Sequence, residues 1–252
     1  MIKLAIYGKG GIGKSTIACN VSAALAKKGM TVMQIGCDPK ADSTALLRSG
    51  EELKTVLGLM REKGNALTLD DMVYKSESGV YCVEAGGPVP GLGCAGRGII
   101  AALEALKDKG AYDVIKPDAV IFDVLGDVVC GGFSMPMRKG CAEKVFVVTS
   151  GEKMSRYAAA NICMAVENFK GRGYASLGGL ILNRRATAGE DEAVQELAGD
   201  FGTKIVASLD RSSDIPECEE KGEAVVLTRP DSTAAAQLRA AADQLVSQFS
   251  EG

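Results

Sequence analysis

Short apolar runs alternate with helical repeats along the whole chain. Residues 2–7 (IKLAIY), 31–36 (TVMQIG), 79–83, 119–127, 144–150 and 178–183 read as strands. Most are apolar at nearly every position, the pattern of strands covered on both faces in a parallel sheet. Between them lie stretches with 3.6-residue periodicity. Residues 16–28 place Ile17, Val21, Ala24 and Leu25 on one side, 99–106 repeat the pattern, and 234–249 form an alanine-rich helix. Alternation without a Pro-rich, Ser-rich or charge-block linker and without an internal repeat predicts one α/β domain over residues 1–252, a mostly parallel sheet flanked by helices.

The first strand-to-helix junction carries the chemistry. Gly8-Lys9-Gly10-Gly11-Ile12-Gly13-Lys14-Ser15 matches the phosphate-loop pattern G-x-x-x-x-G-K-[ST], with strand before and helix after. Glycines let the backbone wrap phosphate oxygens, and the helix N-terminus directs amide donors and partial positive charge at them. Lys14 suits the β/γ-phosphates and the Ser15 hydroxyl suits Mg²⁺. Lys9 is an additional lysine on the outer lip. It is either a solvated charge or a group that reaches across a dimer interface to the nucleotide of the other subunit.

Two further strand ends carry acids. Asp38 and Asp42, after the second strand, either orient Mg²⁺ or water or cap a turn. The apolar run 119–127 contains Asp123, placed as a Walker B carboxylate for Mg²⁺, and ends at Asp127, placed to orient an attacking water. Asn183 ends the strand 178–183, where it either contacts a base edge or caps a turn.

Composition narrows the field. A net charge of −3 offers no basic footprint for nucleic acid. No apolar run approaches the ~20 residues of a membrane span, and no leader precedes the first strand, so the expected location is cytoplasmic. There is no histidine, which excludes imidazole ligands and bases, yet there are eight cysteines. In a reducing compartment that number favours metal or redox chemistry over disulfides. Cys94 and Cys130 each sit in a glycine setting, GLGCAGRG and VVCGGF, where backbone amides favour thiolate. Two thiolates do not complete a four-ligand cluster, but a twofold dimer supplies two more. The other six, Cys19, Cys37, Cys82, Cys141, Cys163 and Cys218, read as core residues, Cys218 being the one expected nearest the surface.

Taken in order, GKGGIGKST, IGCDPKADST, VEAGGPVPGLGCAGRG, FDVLGDVVCGGF, SGEKMSRYAAANI and LGGLILNRR resemble the nitrogenase iron protein family over residues 1 to about 195. The resemblance implies a homodimeric P-loop NTPase with one bridging [4Fe-4S] cluster on Cys94 and Cys130. It implies Mg-ATP held by Gly8, Lys9, Gly10, Gly11, Ile12, Gly13, Lys14, Ser15 and Thr16, with Lys40, Asp42, Asp123 and Asn183 around them. Lys9, Asp38 and Asp127 take the catalytic roles. Residues 38–42 form one switch and 123–130 the other, and the Arg97 segment lies on the docking face. The activity implied is ATP-driven, low-potential one-electron transfer to a nitrogenase or nitrogenase-like catalytic component, with ferredoxin or flavodoxin as electron source and neither nucleic acid nor membrane as partner.

Two departures stand out. Where the family reads like V-P-R-D-N, this chain has Leu209-Asp210-Arg211-Ser212-Ser213, and it ends at Gly252, earlier than usual for the family. The first bears on the adenine contacts, and the second leans the reading towards a nitrogenase-like reductase. Two other readings stay open: a ParA/MinD-type deviant-loop regulatory ATPase without a cluster, and a metallocentre-insertion ATPase holding Zn²⁺ on the same four thiolates.

Overall fold

The computed structural model describes residues 1–87, 95–124, 134–138, 140–169, 171 and 173–250. Its strands are β1 (Ile2–Gly8), β2 (Val32–Cys37), β3 (Tyr74–Lys75), β4 (Tyr81–Glu84), β5 (Ala119–Val124), β6 (Lys144–Thr149), β7 (Ser176–Asn183) and β8 (Ile205–Leu209). Its helices are α1 (Lys14–Lys27), α2 (Val56–Lys63), α3 (Leu69–Met72), α4 (Ala95–Asp108), α5 (Ala111–Ile115), α6 (Lys153–Phe169), α7 (Glu190–Asp200), α8 (Asp214–Glu219), α9 (Val225–Thr228) and α10 (Thr233–Ser247). The strands form one sheet in the order β3-β4-β2-β5-β1-β6-β7-β8. Every pairing is parallel except β3 with β4.

Apolar runs become parallel strands here because both faces are covered. Along β1, Ala5 and Tyr7 join one core cluster while Leu4 and Ile6 join the other. The same split divides β6, with Val145 and Val147 against Phe146 and Val148. On the first face the strands pack against α2, α4 and α6; on the second, against α1 and α10. A strand buried on both sides has no polar face to alternate with, so it reads as a continuous hydrophobic run.

The alanine-rich tail is helical, as its sequence indicates, and its first turn is capped by Ser232, whose hydroxyl accepts from Ala235 N at 3.1 Å. Leu238, Ala241, Ala242 and Leu245 are buried in the cluster that also holds Ile17, Val21 and Leu25 of α1. Small alanines let the two helices approach closely. Among the described residues no helix is long and apolar enough to cross a membrane.

Topology sets the site. Strand β1 lies between β5 and β6; the chain steps from β1 to β2 on one side of it and later from β5 to β6 on the other, so the strand order reverses there. In such sheets ligands bind outside the carboxyl ends of the strands where the order reverses. The β1–α1 turn, the end of β2 and the end of β5 all meet there.

Candidate functional site: a phosphate loop backed by buried carboxylates

The β1–α1 turn wraps as its glycines permit. Gly11 and Gly13 have φ of +73° and +100°, a region L side chains rarely adopt. Gly13 precedes α1 without a side-chain cap, so the donors of the first turn stay open towards the cleft. A Cβ on Gly13 would lie 2.7 Å from Asn183 Nδ2. That amide donates to Ile12 O at 2.8 Å, so Asn183 at the end of β7 braces the loop. Lys14 is nearly buried, and its ammonium donates to Lys9 O at 3.2 Å. The Lys9 side chain is exposed on the lip.

A cleft of ≈ 500 Å³ opens beside the loop. Gly11, Gly13, Lys14, Ser15, Thr16 and Asn183 line one side; Leu209, Asp210, Arg211 and Ser212 line the other. The segment in which this chain departs from the V-P-R-D-N pattern therefore forms the far wall. Arg184 spans that wall, donating to Asp210 at 2.8 Å and to Asp191 at 2.5 Å. Thr16 donates to Glu219 of α8, closing the floor.

Behind the loop, Asp123 is 3 % exposed. Its Oδ2 accepts from Ser43 at 2.6 Å, while Oδ1 finds no hydrogen-bond partner among the described residues. Burial raises its pKa, and the Ser15 and Ser43 hydroxyls with the Lys14 charge pull it back down. A buried, partly unsatisfied carboxylate is costly unless a cation or donor completes it. Mg²⁺ would complete that oxygen, with the Ser15 hydroxyl beside it.

Asp38 follows β2 and caps its own turn: its Oδ1 accepts from Lys40 N at 2.9 Å, and Ala41 N donates to Asp38 O at 3.1 Å. Lys40 and Asp42 are exposed. The residues that reach inward are Ser43 and Thr44, which the motif reading passed over. Ser43 O accepts from Gln34 Nε2 at 2.9 Å and from the Cys19 thiol at 2.9 Å. Thr44 donates through its amide (2.7 Å) and hydroxyl (2.6 Å) to Glu84 Oε1. Asp123 and Glu84 flank Gly36, which pairs with both in the sheet. A Cβ on Gly36 would fall 2.2 Å from Glu84 Oε2 and 2.5 Å from Ser43 Cβ. Gly36→Ala is expected to destabilise the protein by about 3 kcal/mol in urea unfolding, the upper range of core overpacking; an unchanged midpoint would refute the packing argument.

Glu84 is 1 % exposed, and its Oε2 lacks a partner among the described residues. Burial first, opposed by its bonds to Thr44 and by Arg48 and reinforced by Asp123, pushes its carboxyl up to about 7 from 4.5. The folded pKa lies above the unfolded one, so folding takes up a proton. Stability is unaffected below the unfolded value and falls as pH rises from about 4.5 to about 7. Glu84→Gln lacks that proton. Its stability relative to wild type is expected to rise by about 3 kcal/mol between pH 4.5 and pH 8, read by denaturant titration of the nucleotide-free protein. A pH-independent difference would contradict the assignment.

The six described cysteines match the core reading. Cys19, Cys37, Cys82, Cys163 and Cys218 are buried and Cys141 is half-buried. Cys218, expected nearest the surface, is only 3 % exposed, covered by α9 and the hydroxyl of Thr228. Burial pushes the thiols of Cys82 and Cys163 up to about 12 and raises those of Cys19, Cys37 and Cys141. Among the described residues no group of three or more His, Cys, Asp or Glu is arranged to hold a metal ion. Cys94, Cys130 and Asp127 lie outside the described residues.

Residues 2–251 match the family described as 4Fe-4S iron sulfur cluster binding proteins, NifH/frxC family. The chain belongs to that family. It is 50 % identical to the nitrogenase iron protein of Methanospirillum hungatei, covering 98 % of this chain and 88 % of the relative. It is 48 % identical to nitrogenase iron protein 2 of Methanothermococcus thermolithotrophicus, over 92 % and 83 %. Among solved structures, the cell-division ATPase MinD of Pyrococcus furiosus superposes with TM-score 0.74 at 18 % identity, covering 98 % of this chain and 99 % of that one. MinD of Pyrococcus horikoshii, complexed with Mg-ADP, gives 0.74 at 21 %, over 97 % and 96 %. Those likenesses establish the P-loop NTPase fold alone. Membership of the NifH/frxC family, whose members carry a [4Fe-4S] cluster and Mg-ATP, makes this chain an ATP-dependent electron-donor component.

Proposed function

We propose that the whole chain, residues 1–252, works as one half of a homodimer that couples Mg-ATP hydrolysis to low-potential one-electron transfer into a nitrogenase or nitrogenase-like catalytic component. The observation that carries this reading is the NifH/frxC match across residues 2–251, joined to a phosphate loop that backs onto the buried Asp123, whose Oδ1 has no hydrogen-bond partner among the described residues.

Gly8, Gly10, Gly11, Ile12, Gly13 and Thr16 form the phosphate cradle. Lys14 exchanges its intramolecular bond to the Lys9 carbonyl for phosphate oxygens. Ser15 and Asp123 hold Mg²⁺, and Asp123 keeps the Ser43 hydroxyl as its second partner. Asn183 positions the loop through Ile12 O and borders the cleft, where it contacts the base edge of the nucleotide. Lys9 is exposed, as a group reaching a second protomer must be. Asp38, Lys40 and Asp42 form the first switch and Asp127 orients water in the second. Cys94 and Cys130 of each protomer hold one [4Fe-4S] cluster, which stores and passes a single electron when bound. The inert chemistry of the described cysteines supports this pair by leaving it the candidate thiolate set. The electron source is ferredoxin or flavodoxin, and the chain works in the cytoplasm.

The test is anaerobic. The reconstituted protein is expected to contain about four irons and four labile sulfides per dimer. Reduced protein is expected to pass electrons to its co-purified catalytic component only with Mg-ATP present. Near-absence of iron after reconstitution would overturn the proposal and favour the regulatory-ATPase reading; zinc without sulfide would favour metallocentre insertion.

A further inference from the structure

Among the described residues outside the phosphate loop, a buried polar cluster surrounds Gly36. It joins two segments far apart in sequence. The 38–44 loop leaves β2, and residues 85–87 leave β4 towards the first glycine-set cysteine segment. Three contacts tie β2 and its loop to β4 and its extension. Glu84 Oε1 accepts from both the amide and the hydroxyl of Thr44. Ala85 N donates to Gly36 O at 2.8 Å. Pro39 lies so close to Gly87 that a Cβ there would meet Pro39 Cβ at 2.5 Å.

The other end of the same loop is tied to the nucleotide side. Ser43 bonds Asp123 and, through its carbonyl, Gln34 of β2 and Cys19 of α1. Arg48, itself buried, donates to Ala41 O at 3.3 Å, holding Ala41 at φ +56°, an uncommon value for a residue with a side chain. Neighbouring residues Ser43 and Thr44 thus hand one backbone segment from Asp123 to Glu84. Any change in what Asp123 binds moves the Ser43 hydroxyl, and Thr44 cannot follow without disturbing Glu84.

A buried carboxylate is a costly way to accept two hydrogen bonds, and a core strand end does not need one for packing. Gly36 leaves the room it occupies, since no larger residue fits between Glu84 and Ser43. We infer that Glu84 is a positioning residue that couples the 38–44 loop to the end of β4, so that nucleotide binding at the phosphate loop is transmitted to residues 85–87 through Thr44 and Pro39. This rests on the nucleotide-binding reading above and adds a connection that runs through the first switch.

Hydrogen–deuterium exchange of the full-length protein with and without Mg-ADP tests it. In wild type, Mg-ADP is expected to slow exchange at least threefold in peptides covering 8–16 and to change it by a similar factor in peptides covering 81–87. In Glu84→Ala the 8–16 response and the Mg-ADP Kd are expected to remain within twofold of wild type, while the 81–87 response disappears. Glu84→Gln keeps an acceptor oxygen for both Thr44 donors and is expected to restore it. Thr44→Val removes one of the two bonds without emptying the site; it is expected to halve the response and stands in if Glu84→Ala does not fold. A wild-type chain that responds at 8–16 but not at 81–87 overturns the coupling alone. So does a Glu84→Ala or Thr44→Val protein that transmits the change undiminished, or a Glu84→Gln protein as silent as Glu84→Ala. A wild-type chain that responds in neither peptide overturns the nucleotide reading as well.

Discussion

Cys94→Ser and Cys130→Ser are each expected to leave the anaerobically reconstituted protein without its cluster, iron falling from about four per dimer to near zero. The effect is large because of symmetry. In a twofold dimer one substitution removes two of four thiolates, and a half-ligated cubane does not persist. Serine is a close steric match but a hard oxygen ligand, so the change tests ligation and little else. Cys82→Ser is the control. That thiol is fully buried on β4, donates to Val80 O at 3.7 Å and is pushed up to about 12 by burial, so it stays protonated and out of reach of iron. It is expected to keep full iron content at the cost of about 1 kcal/mol from a hydroxyl in an apolar cluster. Iron content and visible absorbance decide the matter. Full iron in Cys94→Ser, or equal loss in Cys82→Ser, would show that the thiolate set has been misassigned.

The second large effect concerns Lys14. Lys14→Ala is expected to weaken Mg-ADP binding by about 10²- to 10³-fold, the cost of removing one partner of a desolvated charge pair. The loop itself should survive. Ile12 N donates to Lys9 O at 3.2 Å and Asn183 holds Ile12 O, so the turn keeps its shape without the lysine. Thermal stability without nucleotide is therefore expected to change little, which separates lost ligand contacts from lost structure. Equilibrium binding of a fluorescent Mg-ADP analogue measures the effect. A Kd within threefold of wild type would remove Lys14 from the phosphate site.

Much of this arrangement was legible in the residues before any coordinates. The strand runs were right in kind, though their ends moved: 2–7 extends to Gly8, and 31–36 shifts to Val32–Cys37. Ends are hard to read because hydrophobicity registers burial, whereas a strand stops where its hydrogen-bonded partner stops. The loop 8–15 was visible because its function demands glycines at fixed spacing beside a lysine and a serine. Glu84 was not. A lone acid in VEAGG has no periodic or motif signature, and its meaning depends on Thr44, which lies forty positions away in sequence at a hydrogen bond's distance in space. A signal was present in Gly36, a glycine inside an apolar strand, which marks a close approach by another group.

Local chemistry alone determined that this protein would be a buried parallel sheet carrying a phosphate loop, and that Cys19, Cys37, Cys82, Cys141, Cys163 and Cys218 would belong to the core. Those conclusions rest on periodicity, composition and short-range spacing, all of which are properties of neighbours along the chain. Only the tertiary structure decided which strand ends meet. The order β4-β2-β5-β1 sets Glu84, Gly36 and Asp123 side by side at the phosphate loop, and makes Ser43 and Thr44 the inward residues while Asp38 caps its own turn. Pairing partners in a parallel sheet are chosen by packing over long sequence separations, and that choice leaves no local trace.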